Sequence, residues 1–301
     1  MDTRFEIFER IAYEKGCDIA LPIKEHFLIQ VIGEFFRRFY DENHKLILGG
    51  GTSLVCAYDE LTKRFSEDAD FRIVPCPNST KNIRERLTDI AKNLTGFSLF
   101  GEPRSDSRKI EFNFINEDIE KYLKGQTTLR PTIKIEFYFT DSLFYSEKQR
   151  KICSFYDKIG EMEFLSINCV SLEDTTIDKI SSFMWRILSG RKSKYYAPQD
   201  MRHLYDLSFL KSQIEVDIKF KKCLMRVWSM DMNNRFKETK KDFKTCVNEV
   251  VVLLNTIKDY RKDYDKYVKT MSYAKTAEQL LFDGAVNSFE CLIEKIMKIE
   301  D

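Results

Sequence analysis

Proline and glycine are scarce in this chain, at 6 and 11 of 301 residues. That excludes collagen-like and low-complexity architectures and suits a helix-rich fold. Neither sign of charge prevails, since 49 Lys and Arg face 48 Asp and Glu for a net charge of +1. Without a global field, a nucleic-acid partner has to be met by a local basic patch. No apolar run reaches the ~18 residues that span a bilayer, so no membrane partner is expected. The start, MDTRFEIFER, carries acidic residues and no apolar core of a secretory signal. Eight cysteines stand at 17, 56, 76, 153, 169, 223, 246 and 291, and none forms a C-x-x-C pair. A disulfide framework and a zinc site are therefore not expected, whereas reduced, mostly buried thiols in a cytoplasmic protein are. Three histidines, at 26, 44 and 203, are too scattered for a metal site and are expected to be structural.

Hydrophobic residues make up 43% of the chain and charged residues 32%, enough to bury a sizeable core and too apolar for a disordered protein. At roughly 100–200 residues per domain, two domains are expected. Periodicity divides the chain in the same way. Before residue 170 the pattern mixes periods. Leu28, Ile32, Phe35 and Phe39 mark a helix within 21–40, and 80–95 also reads as helical. Apolar or alternating runs at 45–48, 65–74, 110–114 and 132–139 read as strands. From Leu172 onward the strand pattern ends. Helical faces follow at 172–188 and 200–211, and beyond 215 come long charged segments with a single glycine, Gly284, and no proline. The change of period near 165–172 places the boundary, giving domains 1–170 and 171–301.

On the strand at 65–74, alternate residues share a face. Phe65, Ala69, Phe71 and Ile73 point one way, and Ser66, Asp68, Asp70 and Arg72 the other, with Glu67 as the exception. Two carboxylates at adjacent same-face positions, about 7 Å apart along the strand, repel unless a cation lies between them. A divalent ion such as Mg²⁺ would take their oxygens together with substrate phosphates. Read alone, the same pattern also fits a solvated strand face. Glu136 repeats the device, as an isolated carboxylate among Ile133, Ile135, Phe137 and Phe139. It is either the wet face of an edge strand or the third carboxylate of a metal site. The turn Gly49-Gly50-Gly51-Thr52-Ser53 leads from a strand to a short helix through Glu60, with Thr52 as the expected N-cap. It is neither a Walker A loop nor a dinucleotide fingerprint. A tight turn and a phosphate cradle fit it equally well.

Together these residues resemble the nucleotidyltransferase superfamily, and more closely its AbiEii/AbiGii abortive-infection toxin family. The resemblance rests on Gly50-Gly51-Thr52-Ser53-Leu54, then Arg64-Phe65-Ser66-Glu67-Asp68-Ala69-Asp70-Phe71. It continues in Leu172-Glu173-Asp174 with Asp178-Lys179-Ile180, and in Arg202-His203-Leu204-Tyr205-Asp206-Leu207, where His203 replaces an Asp. It runs from about residue 21 to 210.

The family implies an α+β fold: a nucleotidyltransferase domain with a mixed β-sheet, followed by a C-terminal helical bundle that contributes to the active-site cleft. It implies Mg²⁺- or Mn²⁺-dependent transfer of a nucleoside monophosphate from an NTP to an acceptor hydroxyl. The favoured acceptor is the 3′ end of an RNA such as tRNA, within a toxin–antitoxin or abortive-infection system that supplies a cognate antitoxin. By the resemblance, Asp68, Asp70 and Glu136 hold metal. Gly50, Gly51, Thr52 and Ser66 contact nucleotide, and Lys179 and Asp206 reach the site. For Asp206 an ion pair with Arg202 one turn away is the plain alternative. Arg191, Lys192 and Lys194, with Tyr195 and Tyr196 interleaved, form the expected RNA track, and the basic stretch 219–244 is a second candidate. A non-catalytic nucleotide- or RNA-binding protein on the same fold, and a nucleotidyltransferase acting on a protein or small molecule, are the rival readings.

Overall fold

The computed structural model describes residues 3–58, 60–123, 129–159, 164–235, 242–274 and 281–300. They form two compact units, Met1–Val170 and Ser171–Asp301.

The first unit is built on one mixed sheet. In chain order it runs α1 (Thr3–Lys15), α2 (Ala20–Arg38), β1 (Lys45–Gly49), α3 (Gly50–Cys56), β2 (Asp68–Val74), α4 (Lys81–Lys92), β3 (Ser98–Leu99) and β4 (Arg104–Ser105). Then follow β5 (Lys109–Ile115), α5 (Glu117–Leu123), β6 (Ile133–Phe139), β7 (Lys148–Ile152) and β8 (Leu165–Cys169). The strands lie in the order β3-β5-β6-β2-β1-β8-β7, with β4 beside β5. β2 pairs parallel with β6 and antiparallel with β1, so it stands in the middle of the sheet.

Alternation fixes what each face does. Ala69, Phe71 and Ile73 of β2, Ile135 and Phe137 of β6, and Phe112 and Phe114 of β5 are all buried. Phe35 of α2 packs over this face, with its ring 4.8 Å from Phe137 and 6.2–6.3 Å from Phe71, Phe112 and Phe114. Phe71 and Phe137 stack at 4.9 Å. Burying such aromatics locks the register, and the register then carries the polar residues of β2, β6 and β5 onto the opposite face.

Several local expectations change. The strand carrying the carboxylates begins at Asp68, so Phe65, Ser66 and Glu67 lie in the segment before it. Glu67 is no longer an exception to the alternation, because it is outside the strand. β6 lies between β2 and β5 and is not an edge strand. The short helix starts at Gly50 with Gly49 as N-cap, so Thr52 is inside it and does not cap it. β7 and β8 had no counterpart in the periodicity. All eight cysteines are free thiols, but only Cys169 and Cys246 are buried and the others are half-buried.

The second unit is helical: α6 (Leu172–Ser189), a 3-10 turn at Pro198–Met201, α7 (Arg202–Leu210), α8 (Ile218–Arg235), α9 (Phe243–Thr256), α10 (Lys258–Met271) and α11 (Phe282–Met297). Ser171 caps α6 by accepting the Asp174 N–H at 3.0 Å. Ile177, Ile180, Phe183, Met184 and Ile187 put an apolar face of α6 into the core, against α7, α8 and α9. Among the described residues no helix is long and apolar enough to cross a membrane.

A buried polar cluster ties α2 to the segment after β7. His26 Nδ1 is 3.0 Å from Ser154 Oγ, and the Phe155 N–H donates to Glu25 Oε2 at 3.2 Å. Burial pushes the Glu25 carboxyl up to about 8, against the pull of the Phe155 N–H and Lys158. Burial likewise lowers His26 to about 4, against Asp157. A raised acid in the folded state favours folding at low pH and loses that advantage as pH climbs from the ordinary carboxylate range to about 8. His26 acts in the opposite sense as pH falls below its ordinary value, so variants should be compared at equal pH. Glu25→Gln can still accept the Phe155 N–H. Its melting temperature should exceed that of the wild type by a margin that widens between pH 5 and 8, at up to about 1.4 kcal/mol per pH unit. A margin independent of pH would show that Glu25 is ionised throughout.

Candidate active site

The glycine turn and the start of β2 meet at the sheet's polar face. Gly49 pairs with Asp70 across β1 and β2. Gly50 has φ +66°, a left-handed conformation suited to glycine, and a Cβ there would collide with Asp70 Oδ2. A Cβ on Gly51 would collide with the guanidinium of Arg64, which is buried and donates to the Phe65 carbonyl at 2.7 Å. The turn is therefore glycine-rich because a carboxylate and a guanidinium pack directly on its backbone.

Thr52 joins the turn to the carboxylate strand. Its hydroxyl donates to the Asp68 carbonyl and lies 2.8 Å from Ser66 Oγ. A hydroxyl has one proton, so Ser66 is the donor of that second bond. Thr52 is 2% exposed. The side chain is thus a strut to Asp68. Ser66 is half-buried and keeps its place beside the turn.

The register sets Asp68 opposite Lys134, and Asp70 opposite Glu136, which faces Glu111 on its other side. Lys134 Nζ donates to Glu136 Oε2 at 2.8 Å and lies 3.4 Å from Asp68 Oδ2. Lys109 Nζ donates to Glu136 Oε1, and to Glu111 Oε2 at 3.0 Å. Burial works against the Glu136 charge, but Lys134 and Lys109 outweigh it and hold the carboxyl down at about 2. Burial also opposes the Lys134 charge, and Asp68 and Glu136 prevail in raising it. An ammonium of the chain itself thus stands between Asp68 and Glu136. Both oxygens of Glu136, the expected third metal carboxylate, are engaged by lysines.

Asp68 is different. Among the described residues its Oδ1 is buried and receives no hydrogen bond, and Arg130 Nη1 stands 3.8 Å away. A buried carboxylate oxygen without a donor is costly unless a ligand completes it. No group of three His, Cys, Asp or Glu side chains among the described residues is arranged to hold a metal ion. The residues present still fit one that takes fewer protein ligands. Mg²⁺ is commonly held by one or two carboxylates together with substrate phosphates, and Asp68 and Asp70 supply hard oxygen donors on one strand face.

Lys24 supports this region from below. Its ammonium, 2% exposed, donates to Glu67 Oε1 at 2.6 Å and to the Arg130 carbonyl at 2.9 Å. It fastens the residue before Asp68 to the segment leading into β6. Lys24, Lys109, Lys134 and Arg130 were all missed as site residues. Lys134 was visible in the alternation with Glu136, but the pairing that matters joins strands some 66 positions apart, from Asp68 to Lys134.

A family model described as nucleotidyl transferase AbiEii toxin, type IV toxin–antitoxin system, matches residues 35–290. The chain belongs to this family. It is a nucleotidyltransferase, and the glycine turn, the Asp68–Asp70 strand and the Lys179 helix all lie inside the matched region. A solved structure, the nucleotidyltransferase toxin MenT4 of Mycobacterium tuberculosis, is similar over 96% of this chain and 89% of its own, with a TM-score of 0.64 and 15% identity. At that identity the likeness concerns the fold. No curated protein matches the chain.

In the second unit, Lys179 of α6 donates to Asp206 of α7 at 2.5 Å, and both are buried, with Asp206 fully so. The carboxylate thus has a lysine partner 27 positions away in the chain. Arg191 donates to Asp263 at 2.7 Å and to Asp259 at 2.8 Å, and Tyr196, buried, donates to Asp263 at 2.8 Å. These two residues fasten the loop to α10. Lys192 and Lys194 are exposed, and Lys194 Nζ lies 5.1 Å from the centre of the exposed Tyr195 ring. Of the stretch 219–244, residues 236–241 lie outside the described residues.

Gly50→Ala probes the turn directly. A left-handed alanine costs about 1–3 kcal/mol, and its methyl must push Asp70 aside. The expected outcome is a lower melting temperature together with at least a tenfold loss of transfer, on the order of 1.4 kcal/mol in the barrier. Wild-type turnover in a Gly50→Ala protein would show that Asp70 is not positioned by the turn.

Proposed function

We propose that the enzyme transfers a nucleoside monophosphate from an NTP to a hydroxyl at the 3′ end of an RNA such as tRNA, in a Mg²⁺- or Mn²⁺-dependent reaction. In that reaction the acceptor oxygen bonds to the α-phosphorus. The bond to the bridging oxygen breaks, pyrophosphate leaves, and the acceptor gives up its proton.

The observation that carries the proposal is the Asp68–Asp70 pair on one strand face. It lies beside a glycine turn moulded to Asp70, and it includes a buried Asp68 oxygen that receives no hydrogen bond among the described residues. Asp68 and Asp70 would hold the divalent ion, which when bound offsets phosphate charge. Gly50 and Gly51 offer backbone N–H donors for triphosphate oxygens, and Ser66 stands beside them, its hydroxyl able to turn from Thr52 to a phosphate oxygen. Lys179 and Asp206 enter by family resemblance as a second group required for transfer. Support for an RNA acceptor is the exposed Lys192, Lys194 and Tyr195, cations with a stackable ring. We read the chain as a cytoplasmic toxin with a cognate antitoxin as partner, in keeping with the family's toxin–antitoxin description.

The test is incubation with each labelled NTP, Mg²⁺ and total RNA, followed by separation of RNA, protein and small molecules. Label should appear in RNA and be lost when the RNA 3′ hydroxyl is oxidised. Label in protein or in small molecules alone would replace the acceptor while keeping the chemistry.

A further inference from the structure

The lysines on the acidic sheet face have a consequence for substrate binding, which rests on Asp68 and Asp70 being the cation-holding pair. Glu136 is engaged at both oxygens, by Lys134 at 2.8 Å and by Lys109. If Glu136 turned to a metal ion, two partly buried ammonium groups would each lose a carboxylate acceptor, which carries a cost. Lys134 is held less evenly. Its contact with Glu136 is a full hydrogen bond, whereas the 3.4 Å separation from Asp68 Oδ2 is long for a charged pair. A lysine ammonium is a point charge on a flexible stem with three donors. It can keep one on Glu136 while the others change partner.

We infer that Lys134 is a substrate-contacting residue. Its ammonium rests beside Asp68 in the empty enzyme, opposing entry of a divalent cation, and takes a triphosphate oxygen when cation and nucleotide arrive together. Glu136 is then a positioning carboxylate that holds Lys134 and is not a cation ligand. The arrangement makes cation and nucleotide binding mutually dependent. The free enzyme holds the ion weakly because an ammonium stands in its place. The NTP favours both, because its phosphates give Lys134 somewhere else to go.

The experiment measures two affinities on the full chain: Mn²⁺ alone, and a non-hydrolysable NTP analogue with Mg²⁺. Lys134→Met should move them in opposite directions. Mn²⁺ alone should bind about tenfold tighter and the analogue about tenfold weaker, each equivalent to roughly 1.4 kcal/mol. A purely structural lysine would weaken both or change neither, and either result overturns the inference. The double variant Lys134→Met with Glu136→Gln should bind Mn²⁺ as the single variant does. A large loss there would make Glu136 a cation ligand and overturn its positioning role. If Lys134→Met does not fold, Lys134→Gln, which can still donate to Glu136, carries the same two expectations. Asp68→Asn separates the two levels. If it binds Mn²⁺ like the wild type, the cation-holding pair itself is wrong. If it loses Mn²⁺ while Lys134→Met changes neither affinity, only the role of Lys134 falls.

Discussion

Asp68→Asn should abolish nucleotidyl transfer while leaving the first unit folded. Asparagine keeps the size of the side chain and one carbonyl oxygen but removes the charge that makes the site attractive to a divalent ion. Loss of several kcal/mol of transition-state stabilisation corresponds to roughly a thousandfold or more in rate. The effect on stability should be small, for a reason visible in the contacts. Lys134 keeps its 2.8 Å bond to Glu136, and the Asp68 carbonyl keeps the Thr52 hydroxyl. At about 2–4 °C per kcal/mol for a chain of this size, the melting temperature should shift by only a few degrees. Turnover assays paired with thermal melts check both halves. Near-normal turnover, or inactivity that merely follows unfolding, would remove Asp68 from the chemistry.

The second large effect concerns Lys179 and Asp206. Lys179→Met leaves a fully buried carboxylate without its ammonium, and breaking a buried pair on one side typically costs about 3–5 kcal/mol. The double variant Lys179→Met with Asp206→Leu removes both charges and should recover most of that stability, because two well-packed apolar side chains can replace a buried ion pair at little cost. Activity then separates the two roles. If the pair serves only to hold α6 against α7, the double variant should work. The proposed role in transfer predicts a protein as stable as the wild type and at least about a hundredfold less active, some 2.7 kcal/mol in barrier height. Thermal unfolding and turnover of the three proteins decide it.

Much of this architecture is legible in the sequence where one physical rule dominates. The β2, β5 and β6 strands alternate cleanly because one face meets Phe35 and the other is polar. The α6 face is plain because its apolar positions recur at helical spacing. Lys148–Ile152 escapes notice because four of its five residues are exposed and only Ile152 is buried, which leaves no alternation to detect. The same contrast divides the site. Asp68 and Asp70 can be found from spacing within one strand, and the glycine turn from a few adjacent residues. The lysines cannot, because Lys134 meets Asp68 only through a parallel pairing and Lys109 meets Glu136 only through an antiparallel one. Charge counting along the chain cannot show that Glu136 is already neutralised, or that Arg191 is spent on Asp259 and Asp263. Thr52 illustrates a subtler limit: its type suits a helix cap, and only the return of the chain at Asp68 shows where the hydroxyl goes.

The most direct test of the account follows the phosphates. The enzyme is supplied with Mg²⁺, total RNA and NTP labelled either at the α- or at the γ-phosphate. The α-label should appear in RNA and the γ-label in released pyrophosphate, with both signals absent in Asp68→Asn. A γ-label carried onto the acceptor, or α-label transfer that persists undiminished in Asp68→Asn, would contradict a nucleotidyl transfer built on this carboxylate.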